Sequence, residues 1–461
     1  MSRTKIHLLL VLLCLAAGWL RAANAPGSLV WDSQADKVTA DVHEEELWPL
    51  LEDVAHQTGW HIFVEPDTAR KVDVKFKDLP AGEALHKLLG DLNFAFVPKT
   101  NEASHLYVFR TTMQNATRRV RGTNAVVKAG PPRHVSNELI VKVKPGADID
   151  AIAKSVGAIV IGRDDKLGIY RLQFDSEADM EAALGKLKSN SDIAAVDYNY
   201  YYDPPMNPQP APNVPANQTK LTLDDSKPND PCHPIVAVID TQVQSLGSQL
   251  DQFVMKPVSV VNNIVPATGL THGTAMVNAV LDAISQSSGG HSATKILPIV
   301  VYDSGEQTTT WNVALGVQAA VNNGATVLNM SLGGTGDSAV LDDIIQQALA
   351  KGVVIFAAAG NQPVSTPTYP AALPGVNAVT ALGAPGQLAS YANFGSFVSM
   401  ALPGANVVTQ AGQSYVVQGT STSTAYASGI AAGTKGIDCQ TWSQIEGAMQ
   451  QKFPVPQKQG Q

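Results

Sequence analysis

A chain of 461 residues, 44% of them apolar, has material for about three domains that each bury a core, which excludes disorder as the whole account. Lys and Arg number 32 against 40 Asp and Glu, and the formal charge of -8 excludes a nucleic-acid binder driven by bulk electrostatics.

In chain order, the first segment carries Arg3 and Lys5, an apolar run over residues 8–19, and small residues at Ala22, Ala23 and Ala25. This is the pattern of a secretory signal peptide over residues 1–25, since the run is short for a bilayer span, with an uncleaved anchor as the alternative. Pro26 leaves the cut open between Ala22 and Ala25. The mature chain is expected to be exported, either periplasmic or secreted. Cys14 follows Leu13, where a lipoprotein signal needs a small residue, so it leaves with the leader. Cys232 and Cys439 remain, and a pair in an oxidising compartment predicts one disulfide, with two separate buried thiols as the alternative. Neither lies in a Cys-x-x-Cys or a Cys/His cluster, so no zinc site is expected.

Residues 36–112 alternate short strands with amphipathic helices. Leu47, Leu50, Leu51, Val54 and Ala55 recur at helical spacing, residues 72–76 alternate as a strand does, and Ala84, Leu85, Leu88 and Leu89 share one helix face. "LLEDVAHQTGWHIFVEPD" and "VDVKFKDLPAGEALHKLL" resemble the short N-terminal domain of outer-membrane secretins and TonB-dependent receptors. The resemblance implies an outer-membrane partner. A connector over residues 113–135 follows, with Arg118, Arg119, Arg121 and Lys128; no aromatic residues interleave the charges, so it reads as a solvated linker and not a nucleic-acid patch.

Residues 136–202 restart with "NELIVKVKPGADIDAIAKSVGAIVIG", then "LGIYRLQF", a helix over 178–187, and "IAAVDYNYYY". Strand, helix, two strands, helix, strand is the order of a ferredoxin-like unit. That order and the closing "VDYNYYY" resemble the propeptide of secreted subtilisin-like proteases, which implies that this chain's own propeptide is one of its partners. Residues 203–230 place Pro204, Pro205, Pro208, Pro210, Pro212 and Pro215 among Asn and Gln. Such a composition predicts an extended, accessible linker where a maturation cut would fall.

Residues 231–455 are poor in charge, and a tail over 456–461 follows. The runs "IVAVID", "ATKILPIVV", "ATVLNMSL", "VVIFAAAGN" and "VNAVTAL" lack alternation and are separated by helical patterns, which predicts strands buried on both faces. The expected fold class is α/β, a doubly wound, mainly parallel sheet preceded by two small α+β domains. In such a sheet, ligands bind beyond the carboxyl ends of the strands. Those ends carry Asp240, Ser331, Leu332, Gly333 and Gly334, and Asn361; two helical patterns begin near His272 and Ser421.

"VAVIDT", "HGT", "SLGG", "AAAGN", "YPA" and "GTS" stand in the order found in subtilisin-like serine proteases, and residues 231–455 resemble that family. The resemblance implies an endopeptidase acting on protein or peptide segments, with Asp240, His272 and Ser421 as the triad and Asn361 as the oxyanion-hole side chain. It also implies Ser331, Leu332, Gly333 and Gly334 as a substrate-binding strand and Thr368 near the floor of an apolar primary pocket. No cofactor is required by these residues; the resemblance leaves calcium open, although no acidic loop has the spacing of a site.

Three departures stand out. Gln242 replaces a frequent Gly and is strained if its backbone is left-handed. Thr422, Ser423, Thr424 and Ala425 replace a segment that usually ends in Pro, which leaves the helix entry at Ser421 less fixed, and Ala275 replaces a frequent second His. The alternative reading is therefore a catalytically weakened protease fold that binds a peptide, or an envelope scaffold. An active enzyme shortens itself near the Pro-rich linker, whereas a binding module stays whole.

Overall fold

The structure is a computed structural model that describes residues 28–456 apart from 33–36, 66–67, 69, 98–103, 114–117, 121–131, 203–205, 212–222, 226–231, 263, 265–266, 268, 304–306 and 384–385. The leader with Cys14, the basic residues Arg121 and Lys128, Pro204, Pro205, Pro212 and Pro215 and most of the tail lie outside the described residues. The chain forms two compact units, residues 1–126 and 127–461.

The first unit runs β1 (Ser28–Asp32), β2 (Lys37–Glu46), α1 (Leu47–Thr58), β3 (His61–Val64), β4 (Lys71–Leu79), α2 (Ala81–Leu89), β5 (Asn93–Val97), β6 (His105–Phe109) and β7 (Arg118–Val120). Strands order as β1-β2-β4 in one sheet and β5-β6-β3-β7 in another. The apolar faces of both helices do what their spacing predicts: Leu50, Leu51, Val54, Ala84, Leu85 and Leu88 bury against Ile62, Val64, Leu106 and Val108. Gly59, at φ 70, closes α1 through its N–H to the Ala55 carbonyl, a conformation that costs glycine little. The connector read over residues 113–135 begins differently from expectation. Its residues 118–120 form β7, antiparallel to β3, because Val120 is apolar enough to be drawn into the core (2% exposed).

The second unit opens with β8 (His134–Val143), α3 (Ile149–Ser155), β9 (Ile159–Asp164), β10 (Ile169–Gln173), α4 (Glu177–Lys188) and β11 (Ile193–Tyr202). The strands order β11-β8-β10-β9 with every pairing antiparallel, the ferredoxin-like arrangement. Asp148 and Ser176 cap the two helices, whose Ile149, Ile152, Met180 and Leu184 pack on Leu139, Val141 and Leu172.

There follow β12 (Gln209–Pro210), β13 (Ile235–Asp240), β14 (Val258–Ser259), α5 (His272–Ser288), β15 (Lys295–Val300), β16 (Thr308–Thr309), α6 (Thr310–Asn322), β17 (Val327–Met330), α7 (Ala339–Ala350), β18 (Val354–Ala358), β19 (Asn377–Leu382), β20 (Met400–Pro403), β21 (Ala405–Gln410), β22 (Gln413–Gln418), α8 (Thr420–Asp438) and α9 (Trp442–Lys452). Seven strands form one parallel sheet, β14-β15-β13-β17-β18-β19-β20. Successive residues of β13 feed opposite cores. Ala237 and Ile239 pack with α6 and α7, while Val236 and Val238 pack with α5, α8 and α9. That double burial is why the strands read as unbroken apolar runs. The chain leaves β13 for β15 on one side and returns to β17 on the other, so the switch point lies at the carboxyl end of β13.

A further sequence reading changes here. Part of the Pro-rich linker is packed: β12 pairs with β22, Pro208 is buried and Leu223 is 5% exposed. An edge strand tolerates Pro because a missing N–H there need not leave a partner unsatisfied. Cys232 and Cys439 lie with Sγ atoms 1.98 Å apart and Cα atoms 5.6 Å apart.

Candidate active site

Asp240 is the last residue of β13 and His272 the first of α5, so strand and helix deliver both to the switch point. Asp240 Oδ1 and Oδ2 lie 2.8 and 2.9 Å from His272 Nδ1, with both side chains 1% exposed. The Thr241 N–H donates to Asp240 Oδ1 at 2.7 Å, and the Gly273 N–H donates to Thr241 Oγ1 at 2.8 Å. Gly273 is required by close approach: a Cβ there would collide with the Thr241 carbonyl and lie 3.1 Å from that of Gln242.

The concern over Gln242 does not arise, because its backbone is not left-handed. Its carbonyl accepts from Thr271 Oγ1 at 2.8 Å, tying the loop to the helix cap. Gln242→Gly is therefore expected to leave kcat/KM within about threefold of wild type, since no strain is released and the glycine adds only unfolded-state freedom. Steady-state hydrolysis by the two proteins checks this; a large gain would show that Gln242 displaces Asp240.

Ser421 is the second residue of α8 and 6% exposed. Its Oγ donates to the Ser331 carbonyl at 3.2 Å, and Ser331 Oγ donates back to the Ser421 carbonyl at 3.1 Å. In this conformation the Ser421 hydroxyl is therefore engaged by the strand end and not by His272. Asn329 Nδ2 supports Ser331 Oγ at 3.0 Å, and Ser428 Oγ donates to Asn329 Oδ1 at 3.2 Å.

Helix α8 lacks a capping side chain at Gly419. Asn361 supplies the acceptor from outside: its Oδ1 takes the Thr420 N–H at 2.9 Å and the Thr420 hydroxyl at 3.1 Å. That fixes the amide with its NH2 as the remaining donor, beside Gly419, where a Cβ would lie 3.4 Å from Nδ2. Thus the helix entry, expected to be loosely fixed without Pro at Ala425, is fixed by the Asn361 side chain. Asn393 holds the loop bearing Asn361, accepting from the Gln362 N–H at 2.8 Å and donating to Thr368 Oγ1 at 3.1 Å. Thr368 is 7% exposed, and its Cγ2 would lie 2.6 Å from a Cβ at Gly333. Gly334 pairs with Tyr369, its N–H donating at 3.0 Å.

Sequence reasoning missed Asn329, Asn393, Thr420 and Gly273. Asn329 carried a legible signal, a single polar residue inside an apolar strand; Asn393 carried none, since its role depends on loops remote in sequence.

The ferredoxin-like subdomain sits on this same face. Tyr201 and Tyr202 pair with Thr309 and Thr308, and a Cβ at Gly334 would lie 3.0 Å from the Tyr201 carbonyl. Two polar contacts meet helix N-termini. Asp197 Oδ2 accepts from the Val340 N–H at 2.8 Å and from Ser338 Oγ at 3.0 Å, at the start of α7. Asn199 Oδ1 accepts from the Trp311 N–H at 3.1 Å, at the start of α6, while its Nδ2 donates to Glu138 at 2.8 Å. Lys142 adds an ion pair with Asp343. Burial raises the Asp197 carboxyl above its ordinary value, against the Val340 and Ser338 hydrogen bonds that pull it down. Burial likewise pushes Tyr200 up to about 12.

Among the described residues, no group of three or more His, Cys, Asp or Glu stands together to hold a metal, and no helix is long and apolar enough to cross a membrane.

Residues 233–458 match the profile of the Subtilase family, and residues 120–199 that of the Fervidolysin N-terminal prodomain. The chain is 29% identical over 314 residues to the thermophilic serine proteinase of Bacillus sp. (strain AK1), covering 65% of this chain and 78% of that one. It is 33% identical over 203 residues to thermitase of Thermoactinomyces vulgaris, covering 42% of this chain and 72% of that one. Fervidolysin from Fervidobacterium pennivorans, described as a keratinolytic enzyme related to subtilisin, superposes with a TM-score of 0.53 at 21% identity, over 70% of this chain and 57% of that one; it bears on the fold alone.

Proposed function

We propose, since this chain belongs to the subtilase family and is a serine-type endopeptidase, that Asp240, His272 and Ser421 are its catalytic triad and Asn361 its oxyanion-hole side chain. The observation that carries this is the buried Asp240–His272 pair at the carboxyl end of β13, in the same unit as a serine at the N-terminus of α8. Ser421 Oγ must first turn from the Ser331 carbonyl to His272 Nε2. His272 then accepts the hydroxyl proton as Oγ attacks the peptide carbonyl, and Asp240 holds the imidazole tautomer through Nδ1 and stabilises the imidazolium. The oxyanion takes hydrogen bonds from Asn361 Nδ2 and the Ser421 N–H, at the positive end of α8. His272 returns the proton to the leaving amine, and water releases the acyl group by the same path in reverse. Labelling by a serine-directed phosphonate tests the assignment: wild type is expected to be modified at Ser421, and a folded protein left unlabelled counts against it.

The substrate is an unfolded or extended protein segment, which adds as a strand along Ser331, Leu332, Gly333 and Gly334, with Thr368 below Gly333 at the primary pocket. Residues 136–202 are the propeptide, a folding aid and inhibitor, and the maturation cut falls in the Pro-rich linker over residues 203–230. The chain is exported, with Cys232 and Cys439 bonded as a disulfide. Residues 36–112 serve as a recognition module for an outer-membrane partner, a reading supported by the sequence resemblance of that segment.

Propeptide inhibition in trans is expected to be pH-dependent through Asp197. Its value is raised in the docked state, so docking takes up a proton; affinity is greatest below roughly pH 4 and falls as pH rises through the raised value, then levels. Asp337 nearby pushes in the same direction and Lys188 opposes it. Asp197→Asn is expected to flatten that dependence while Asn199 and the Lys142 ion pair keep the domain docked. Inhibition constants measured from pH 4 to 8 decide it; a wild-type affinity that rises with pH contradicts the assignment.

A further inference from the structure

The chain's contact with the cleft does not end at Tyr202. At Met206, Cε lies 3.1 Å from where a Cβ of Gly419 would stand, next to Asn361 Nδ2. Gln209 then pairs with Val416 and Pro210 with Tyr415, antiparallel, and the Ala211 N–H donates to the Ser414 carbonyl at 2.8 Å. β22 leads through Gly419 into the start of α8, which carries Ser421 as its second residue. The same stretch is anchored again further on. Leu223 is buried in the core shared with α5 and α8, the Asp224 N–H donates to the Gly290 carbonyl at 2.9 Å, and the Ser292 N–H donates to the Asp224 carbonyl at 3.0 Å. None of these bonds involves the propeptide.

We propose that residues 206–211 are a strap that stays paired with β22 after the maturation cut, so that Ser414–Val416 is an edge that binds extended peptide and is occupied in cis. The inference rests on the catalytic reading above, on a cut at the start of the linker, between Tyr202 and Met206, and on β22 walling the cleft on its leaving-group side. Its physical basis is strand addition: main-chain bonds to a sheet edge are indifferent to side chain, so the edge that holds Gln209–Ala211 holds any extended segment following a scissile bond. A tethered strand is present at an effective concentration on the order of millimolar, enough to compete with a free substrate. Losing the propeptide therefore opens the acyl side of the cleft and leaves the leaving-group side covered until the strap is displaced or removed.

The test uses the full chain with a recognition sequence for a site-specific endopeptidase placed within residues 212–222, which lie outside the described residues. After self-processing, N-terminal sequencing is expected to find a start at or before Met206. Cutting the inserted site is expected to raise casein hydrolysis per phosphonate-labelled Ser421 about tenfold, through a lower KM. A synthetic peptide of residues 206–211 restores part of the inhibition. Ala211→Pro removes the N–H that Ser414 accepts without touching the catalytic groups, and gives part of the gain without a second cut. A start beyond Ala211, or a rate per labelled serine unchanged by both the second cut and Ala211→Pro, overturns the strap and leaves the catalytic assignment standing. A Ser421 that takes no label overturns both.

Discussion

Ser421→Ala is expected to abolish casein hydrolysis and self-cleavage together, leaving a full-length chain by intact mass. The loss should be about 10⁶-fold in kcat, because the triad acts as a unit and only binding and the oxyanion donors remain. The fold should survive, since the hydroxyl lost makes one bond, to the Ser331 carbonyl, and the reciprocal bond from Ser331 Oγ goes to the main chain. Asn361 is the informative partner. Asn361→Ala is expected to lower kcat by about 10²–10³ with KM nearly unchanged, the signature of a donor used only in the transition state. It also deprives Thr420 of its acceptor, so a second variant separates the two roles. Asn361→Asp keeps an oxygen for the Thr420 N–H and removes the donor; it should lose at least as much turnover as Asn361→Ala. Recovery of activity by Asn361→Asp would mean that Asn361 serves only to cap α8.

The second large effect concerns stability. Cys232 precedes β13 and Cys439 ends α8, 207 residues apart in sequence, so a bond between them closes most of the catalytic unit into one loop. Restricting an unfolded loop of that length stabilises by about 5 kcal/mol on loop-closure entropy, which corresponds to a fall on the order of 10 °C in melting temperature when both are replaced by Ser. Reduction of the wild type should give the same shift, and thiol titration of denatured, unreduced protein should find neither cysteine reactive. Two reactive thiols would reject the bond, and a wild type insensitive to reductant would reject its energetic role.

Sequence by itself determined the layers of the second unit and which polar residues stand at its strand ends and helix starts. Apolar runs without alternation mean strands covered on both faces, and the faces of α1 and α2 follow from spacing alone, because in each case periodicity reports the burial of the residue that carries it. The same logic put Asp240 at a strand end and His272 and Ser421 at helix starts. What periodicity cannot report is a partner supplied from elsewhere in the chain. Gln242 stands where Gly is frequent, yet the loop places it outside the left-handed region, with its carbonyl on Thr271. The entry of α8 lacks the usual Pro, yet Asn361, 59 residues away, supplies its acceptor. Residues 118–120 and 209–210 read as linker because their composition is basic or Pro-rich, yet each lies on a sheet edge whose main-chain groups bond whatever extended segment reaches them. Only the tertiary structure decides such pairings, since backbone donors and acceptors are the same in every residue but Pro and leave no mark in the sequence.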